Sequence, residues 1–147
     1  MYNKWMRLIS LCIIPIIVGG ILYLAYRRNT LLMFTWFKNI GLSECINQLR
    51  HFASQHPLPE WFVFSLPNGL WALSFVSYVM IFAGSNRTLK YICMFIAVNI
   101  ILDFEILQGF KIISGTFDIV DLATNIIFIY IGIILNHKGG HIHVKQN

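Results

Sequence analysis

The chain has 147 residues, of which 57% are hydrophobic and only 12% are charged, and its mean hydropathy is +0.68. A soluble domain carries about 25% charged residues, so this composition excludes a soluble module. The net charge of +5 comes from basic residues at the ends of apolar runs. They form no stripe, which favours anionic lipid headgroups over nucleic acid as their partner. We therefore predict one integral membrane domain over residues 1–147.

The first apolar run covers residues 8–26 and is closed by Arg27 and Arg28. It is longer than the apolar core of a signal peptide, about 7–15 residues, and no A-x-A cleavage site follows it, so we predict an uncleaved first span. Pro15 should bend this helix or leave a carbonyl free. Gly19 and Gly20 should let a neighbouring helix approach closely.

The long connection that follows is predicted to lie at the membrane interface over residues 31–56. Aromatic residues beside Lys38 suit the headgroup layer. Residues 42–54 place apolar side chains, Cys45 among them, on one side of a helix and charged or amide side chains on the other. We expect this amphipathic helix to pack its edge of Ile46, Leu49 and Phe52 over the mouth of the polar site as a lid.

Three further apolar runs, near residues 65–84, 89–108 and 118–136, approach the length of about 20 residues that a membrane span needs. The predicted fold is therefore all-α, a polytopic membrane protein with four transmembrane helices plus an interfacial amphipathic helix. Four spans put both termini on one side of the membrane. That side carries six Lys and Arg residues, and the other side carries five. The positive-inside rule then favours cytoplasmic termini.

The start of the second span, the end of the third and the start of the fourth share one membrane face, and polar residues converge there. Asp118, Asp121 and Asn125 lie on one helix face by their spacing. Ionisable groups at membrane depth usually face a bundle interior or a water-filled cavity. The predicted acidic funnel has these ligand-binding residues: Asn68, Trp71, Glu105, Gln108, Asp118, Asp121 and Asn125.

Other interpretations of these residues stay open. Asp118 could be a helix-start carboxylate beside the positive end of the helix dipole. Asn125 and Asn99 could be interhelical hydrogen bonders. Asp103 and Glu105 are two residues apart and cannot face the same way, so only one can join the funnel, and Gln108 shares the face of Glu105.

No dedicated metal site is predicted, and the sequence does not identify a cofactor. The three cysteines are widely spaced without a CxxC pair, so we interpret them as small buried hydrophobes. His141-x-His143 has no carboxylate or cysteine beside it to complete a metal site.

The order of these motifs resembles the VanZ-like family of small bacterial membrane proteins. The matching residues are Glu105-x-x-Gln108, then Gly115-Thr116-Phe117-Asp118-x-x-Asp121-x-x-x-Asn125, then Gly132. Where members carry an arginine before the Phe-Asp element, the nearest basic residue here is Lys111, and Phe128 stands where they tend to have glycine. The resemblance implies a multi-pass protein of the bacterial cell membrane and cell envelope, in a family named for a member linked to glycopeptide antibiotic resistance.

Three functions remain open. The first is a binding protein whose funnel holds a polar lipid headgroup or a lipid-linked envelope precursor. The second is a membrane enzyme in which the carboxylates bind a divalent cation or act as general acid and base on a lipid phosphate. The third is a small accessory subunit, whose partner is another membrane protein and whose polar layer only fixes helix packing.

Overall fold

The computed structural model describes residues 4–27, 32–83, 86–113 and 116–140, and these residues form helices and short connections without a β-strand. The helices alternate between long apolar segments and short connecting ones. Their bounds are Lys4–Leu8, the π-helical turn Ile9–Ile13, Ile14–Tyr26, Leu32–Asn39, Ser43–Gln55, Glu60–Phe64, Leu66–Phe82, Arg87–Gly109 and Ile119–Gly140.

Four of these segments are long and apolar enough to cross a membrane. We call them the first to fourth spans, and they cover Lys4–Tyr26, Glu60–Phe82, Arg87–Gly109 and Ile119–His137. Their outer faces expose large apolar side chains such as Phe95, which is 72% exposed, and Tyr130, which is 65% exposed. An apolar surface of this kind suits lipid and not water. The predicted all-α polytopic fold is thereby confirmed.

Two spans begin earlier than predicted. The first starts at Lys4 instead of residue 8, because its opening turn carries Arg7 into a hydrogen bond with the fourth span. The second starts at Glu60 instead of Ser65, since a helical turn follows Pro59 directly. Ser65 makes no side-chain cap and is a buried break before Pro67, which lies in the first turn of the longer helix.

Hydrogen bonds between spans show how the helices alternate in direction. Asn68 contacts Asp121 at one end of the bundle, and Asn136 donates to the Ser77 hydroxyl at 3.0 Å at the other end, so the second and fourth spans run parallel. Arg7 donates to the side-chain oxygen of Asn136 at 2.8 Å. The start of the first span and the end of the fourth therefore lie at the same end of the bundle.

The first span is irregular just before Pro15, where a bend or a free carbonyl was predicted. Pro15 has no N–H to donate to the carbonyl one turn earlier, and the chain forms the π-helical turn Ile9–Ile13 just before it. The Ser74 hydroxyl of the second span donates to the Cys12 carbonyl of this turn at 2.8 Å. A neighbouring helix thus stabilises backbone that the proline has displaced from regular geometry.

Glycines let the spans approach each other. A Cβ at Gly19 would lie 2.8 Å from the indole nitrogen of Trp71, whereas a Cβ at Gly20 would meet nothing within 4 Å. A Cβ at Gly69 would lie 2.7 Å from both Phe128 and Thr124 of the fourth span. Close packing of the second and fourth spans therefore depends on a missing side chain. Deeper in the bundle, the buried core is Ala72, Val76 and Ile129.

The amphipathic helix forms as predicted, at Ser43–Gln55, and packs against the end of the first span. It turns Ile46 and Ala53 inward, and both are buried. Arg50 donates to the backbone carbonyl of Leu24 at 2.9 Å and to that of Arg27 at 2.6 Å. These hydrogen bonds therefore attach the amphipathic helix to the C-terminal end of the first span.

Candidate functional site

A cavity of about 640 Å³ opens at one end of the bundle, where the first and third spans end and the second and fourth begin. This volume lies within the range of about 300–1,000 Å³ that small-molecule sites occupy. Six of the seven predicted site residues line it. They are Asn68, Trp71, Glu105, Gln108, Asp121 and Asn125.

Asp118, the seventh predicted residue, has a different role. It precedes the helix that starts at Ile119, and its Oδ1 accepts a hydrogen bond from the backbone N–H of Val120 at 2.8 Å. This is the helix-start carboxylate that the alternative interpretation described. Asp118 does not line the cavity, although its charge is close enough to act on Glu105.

The third span presents Glu105 to the cavity and Asp103 to the outside. Glu105 is only 7% exposed, whereas Asp103 is exposed and does not line the cavity. The structure therefore agrees with the choice of Glu105 over Asp103, which was based on the helix face that Glu105 shares with Gln108. Glu105 also lies close enough to Asp121 for the two carboxylates to repel each other.

Three cavity residues each keep a buried oxygen without a hydrogen-bond partner. These atoms are Oε2 of Glu105, Oδ1 of Asp121 and Oδ1 of Asn125. Asn125 is 4% exposed, and the other Asp121 oxygen accepts from the Asn68 amide at 3.2 Å. We call Glu105, Asp121 and Asn125 the acceptor cluster.

The acceptor cluster is costly for the folded chain. A buried acceptor without a partner costs about 1–3 kcal/mol, and more when it is charged. Carboxylates accept hydrogen bonds only, so two of the three members have nothing to donate to each other. Such a group is satisfied by a ligand that brings donors or positive charge.

The cavity lining also carries a cation. Arg27 lines the cavity, with its guanidinium 5.1 Å from the ring centre of Tyr23 and 4.8 Å from that of Phe64. The Nε atom of Arg27 is buried and has no hydrogen-bond partner. Trp71 packs on Tyr23 with ring centres 5.4 Å apart and completes an aromatic wall.

Sequence reasoning missed Arg27, Tyr23 and Thr116, which also line the cavity. A signal for Arg27 was available, because it closes the first apolar run at the same membrane face as the funnel. It was read only as a flanking charge. Tyr23 gave no signal, since an aromatic residue near the end of a span is ordinary.

The lid prediction is wrong for the described residues. None of the residues of the amphipathic helix lines the cavity. Phe52, predicted to cover the mouth, is 62% exposed and stacks on His56 with ring centres 4.5 Å apart. The helix packs through Ile46, which belongs to the predicted edge, and through Ala53, which does not, and Cys45 is exposed.

Two other predictions can be compared with the structure. Asn99 donates to the carbonyl of Phe95 at 2.7 Å, and this hydrogen bond lies within one helix and not between two helices. Over residues 4–27, 32–83, 86–113 and 116–140, no three His, Cys, Asp or Glu side chains are placed to hold one metal ion. Gly115, His141 and His143 lie outside the described residues.

No family model, curated protein or solved structure matches this chain. The resemblance to the VanZ-like family therefore stays a prediction that rests on the quoted motifs alone. The fold and geometry define a multi-pass helical membrane protein with a polar cavity at one end of its bundle.

Proposed function

We propose that this protein binds a polar lipid headgroup, or the headgroup of a lipid-linked envelope precursor, in the cavity lined by the acceptor cluster. Its membrane is the bacterial cell membrane, with both termini in the cytoplasm. The proposal includes a link to glycopeptide antibiotic resistance, which derives only from the VanZ-like motifs.

The observation that carries the proposal is the set of unpartnered oxygens of Glu105, Asp121 and Asn125 beside one cavity. Helix packing alone would favour satisfied polar pairs at these depths, as at Asn136 and Ser77. A site that keeps its acceptors free of protein partners gains its hydrogen bonds when a ligand arrives.

The position of the cavity supports a lipid ligand. It lies between the ends of the spans, where headgroups lie in a bilayer. Its aromatic wall of Tyr23 and Trp71 gives apolar surface beside the polar cluster. A lipid can enter this environment from the membrane with its headgroup against the cluster and its chains against the outer faces of the spans.

Retention of lipid after purification tests the proposal. We would extract the protein from membranes of mixed phospholipids and count bound lipid by native mass spectrometry. Asn125→Leu should lose bound phospholipid at least about tenfold, the factor that 1.4 kcal/mol represents. Asn99→Leu is the matched control, because Asn99 bonds within its own helix and does not line the cavity.

Equal retention by the wild type, Asn125→Leu and Asp121→Asn would contradict the proposal. The polar layer would then serve helix packing, and the accessory-subunit hypothesis would be the better one. In a bacterial host, the same variants should lose whatever change in glycopeptide susceptibility the wild type confers.

A further inference from the structure

We propose that the ligand of this cavity is a zwitterionic group in which a primary ammonium is joined to a phosphate, as in a phosphoethanolamine headgroup. This inference rests on the proposed function and names its ligand chemistry. Its basis is that residues of opposite charge line the same cavity. They are the acidic Glu105 and Asp121 and the basic Arg27.

The acceptor cluster matches an ammonium group. A primary ammonium has three N–H donors and no acceptor, and the cluster has three buried oxygens without partners, on Glu105, Asp121 and Asn125. The positive charge also offsets the repulsion between Glu105 and the nearby carboxylates of Asp121 and Asp118. A quaternary ammonium, as in choline, carries no N–H and would leave all three oxygens unpartnered.

Arg27 matches the phosphate. Guanidinium groups bind phosphate oxygens through paired N–H donors, and such charge-assisted bonds are about twice as strong as neutral ones. The Nε of Arg27 is buried without a partner, and its Nη2 reaches the Phe64 carbonyl only at 3.5 Å. The guanidinium is therefore held over two aromatic rings while its hydrogen-bonding capacity is largely unused.

The amphipathic helix holds the backbone next to Arg27 in this arrangement. Arg50 donates to the Arg27 carbonyl at 2.6 Å and to the Leu24 carbonyl at 2.9 Å, which fixes the backbone at the end of the first span. Arg50 itself lies over Phe34 at 5.2 Å from the ring centre. The helix thus acts as a brace that positions Arg27, and not as a lid.

Competition between headgroups tests the inference. The protein in nanodiscs would be offered phosphatidylethanolamine, its N-monomethyl and N,N-dimethyl forms, phosphatidylcholine and phosphatidylglycerol, and bound lipid would be read by native mass spectrometry. Ethanolamine lipid should be preferred over choline lipid by at least about tenfold, with the methylated forms between them. Soluble O-phosphoethanolamine is added to distinguish recognition of the free phosphoethanolamine group from recognition of the whole lipid. Displacement of the lipid would indicate recognition of the free group, and its failure would indicate that the lipid chains are required.

Variants assign the two ends of the ligand. Glu105→Gln should remove the preference for ethanolamine over choline, while Asp103→Asn on the exposed side of the same helix should keep it. Arg27→Gln should weaken binding of both phospholipids by a similar factor and leave their ratio unchanged. Arg27→Lys keeps the charge and should retain part of the binding, and the exposed Lys38→Gln is its control.

Equal retention of choline and ethanolamine lipids by the wild type would overturn this inference while leaving headgroup binding intact. A preference for phosphatidylglycerol would do the same. Absence of any retained lipid would instead overturn the proposed function itself.

Discussion

Replacing Glu105 by glutamine should make the protein more stable while it loses its preference for an ethanolamine headgroup. The side chain is 7% exposed, has one oxygen without a partner, and lies near the carboxylates of Asp121 and Asp118. Glutamine keeps the shape, removes the charge and supplies N–H donors beside those carboxylates. Functional sites commonly carry such a cost in stability.

The size of this stability gain follows from the free-energy cost of an unsatisfied buried polar group, about 1–3 kcal/mol. Because glutamine relieves only part of it, we expect the free energy of unfolding to rise by about 1 kcal/mol. For a chain of this length that corresponds to a Tm increase of about 2–4 °C. Asp103→Asn is the matched control, since an exposed substitution should change stability by less than about 0.5 kcal/mol.

Thermal unfolding in one detergent, followed by the fluorescence of the native tryptophans, measures both variants under the same conditions. Lipid-free protein must be used, because a bound ligand stabilises the wild type by mass action. A fall in Tm of several degrees for Glu105→Gln, with no change for Asp103→Asn, would refute the reasoning. Glu105 would then be a packing residue with a partner in the folded state.

Three further predictions concern the bundle. Gly69→Ala should lower the free energy of unfolding by about 1–3 kcal/mol in the same assay, because the added Cβ would lie 2.7 Å from two side chains. Gly20→Ala is the control and should not destabilise the protein, since a Cβ there would meet nothing within 4 Å. Lys111→Gly should raise stability by up to about 1 kcal/mol, since Lys111 has a φ of 57° at a helix end that favours glycine; a loss would assign the lysine a stabilising contact. In a chain without native cysteines, Lys4→Cys and Arg87→Cys should be labelled from one side of the membrane and Lys111→Cys from the other. Labelling of positions 4 and 87 from opposite sides would exclude the four-span topology.

The number of spans and the end of the bundle that carries the site were predictable from the sequence. A membrane span must match the thickness of the bilayer, so the length of an apolar run in the sequence indicates whether it can cross. Short turns then force the end of the third span and the start of the fourth to the same face. The i, i+2 relation of Asp103 and Glu105 indicated that only one of them reaches the cavity, and the face shared with Gln108 indicated that it is Glu105.

Rotation of helices and contacts across the first span were not predictable in the same way. The pattern of the amphipathic helix gave its apolar residues but not the partner that they meet, so Phe52 was assigned to the lid edge and is exposed. The role of Arg27 depends on Arg50 and Phe64, which come from distant segments, as well as on the nearby Tyr23. Contacts of this kind exist only after tertiary packing.

A structure of the protein in nanodiscs that contain phosphatidylethanolamine and phosphatidylglycerol tests the central claim most directly. We expect headgroup density in the cavity, with its ammonium end against Glu105, Asp121 and Asn125 and its phosphate against Arg27. A cavity closed by rearranged protein side chains, with partners for all three oxygens and no headgroup density, would contradict it.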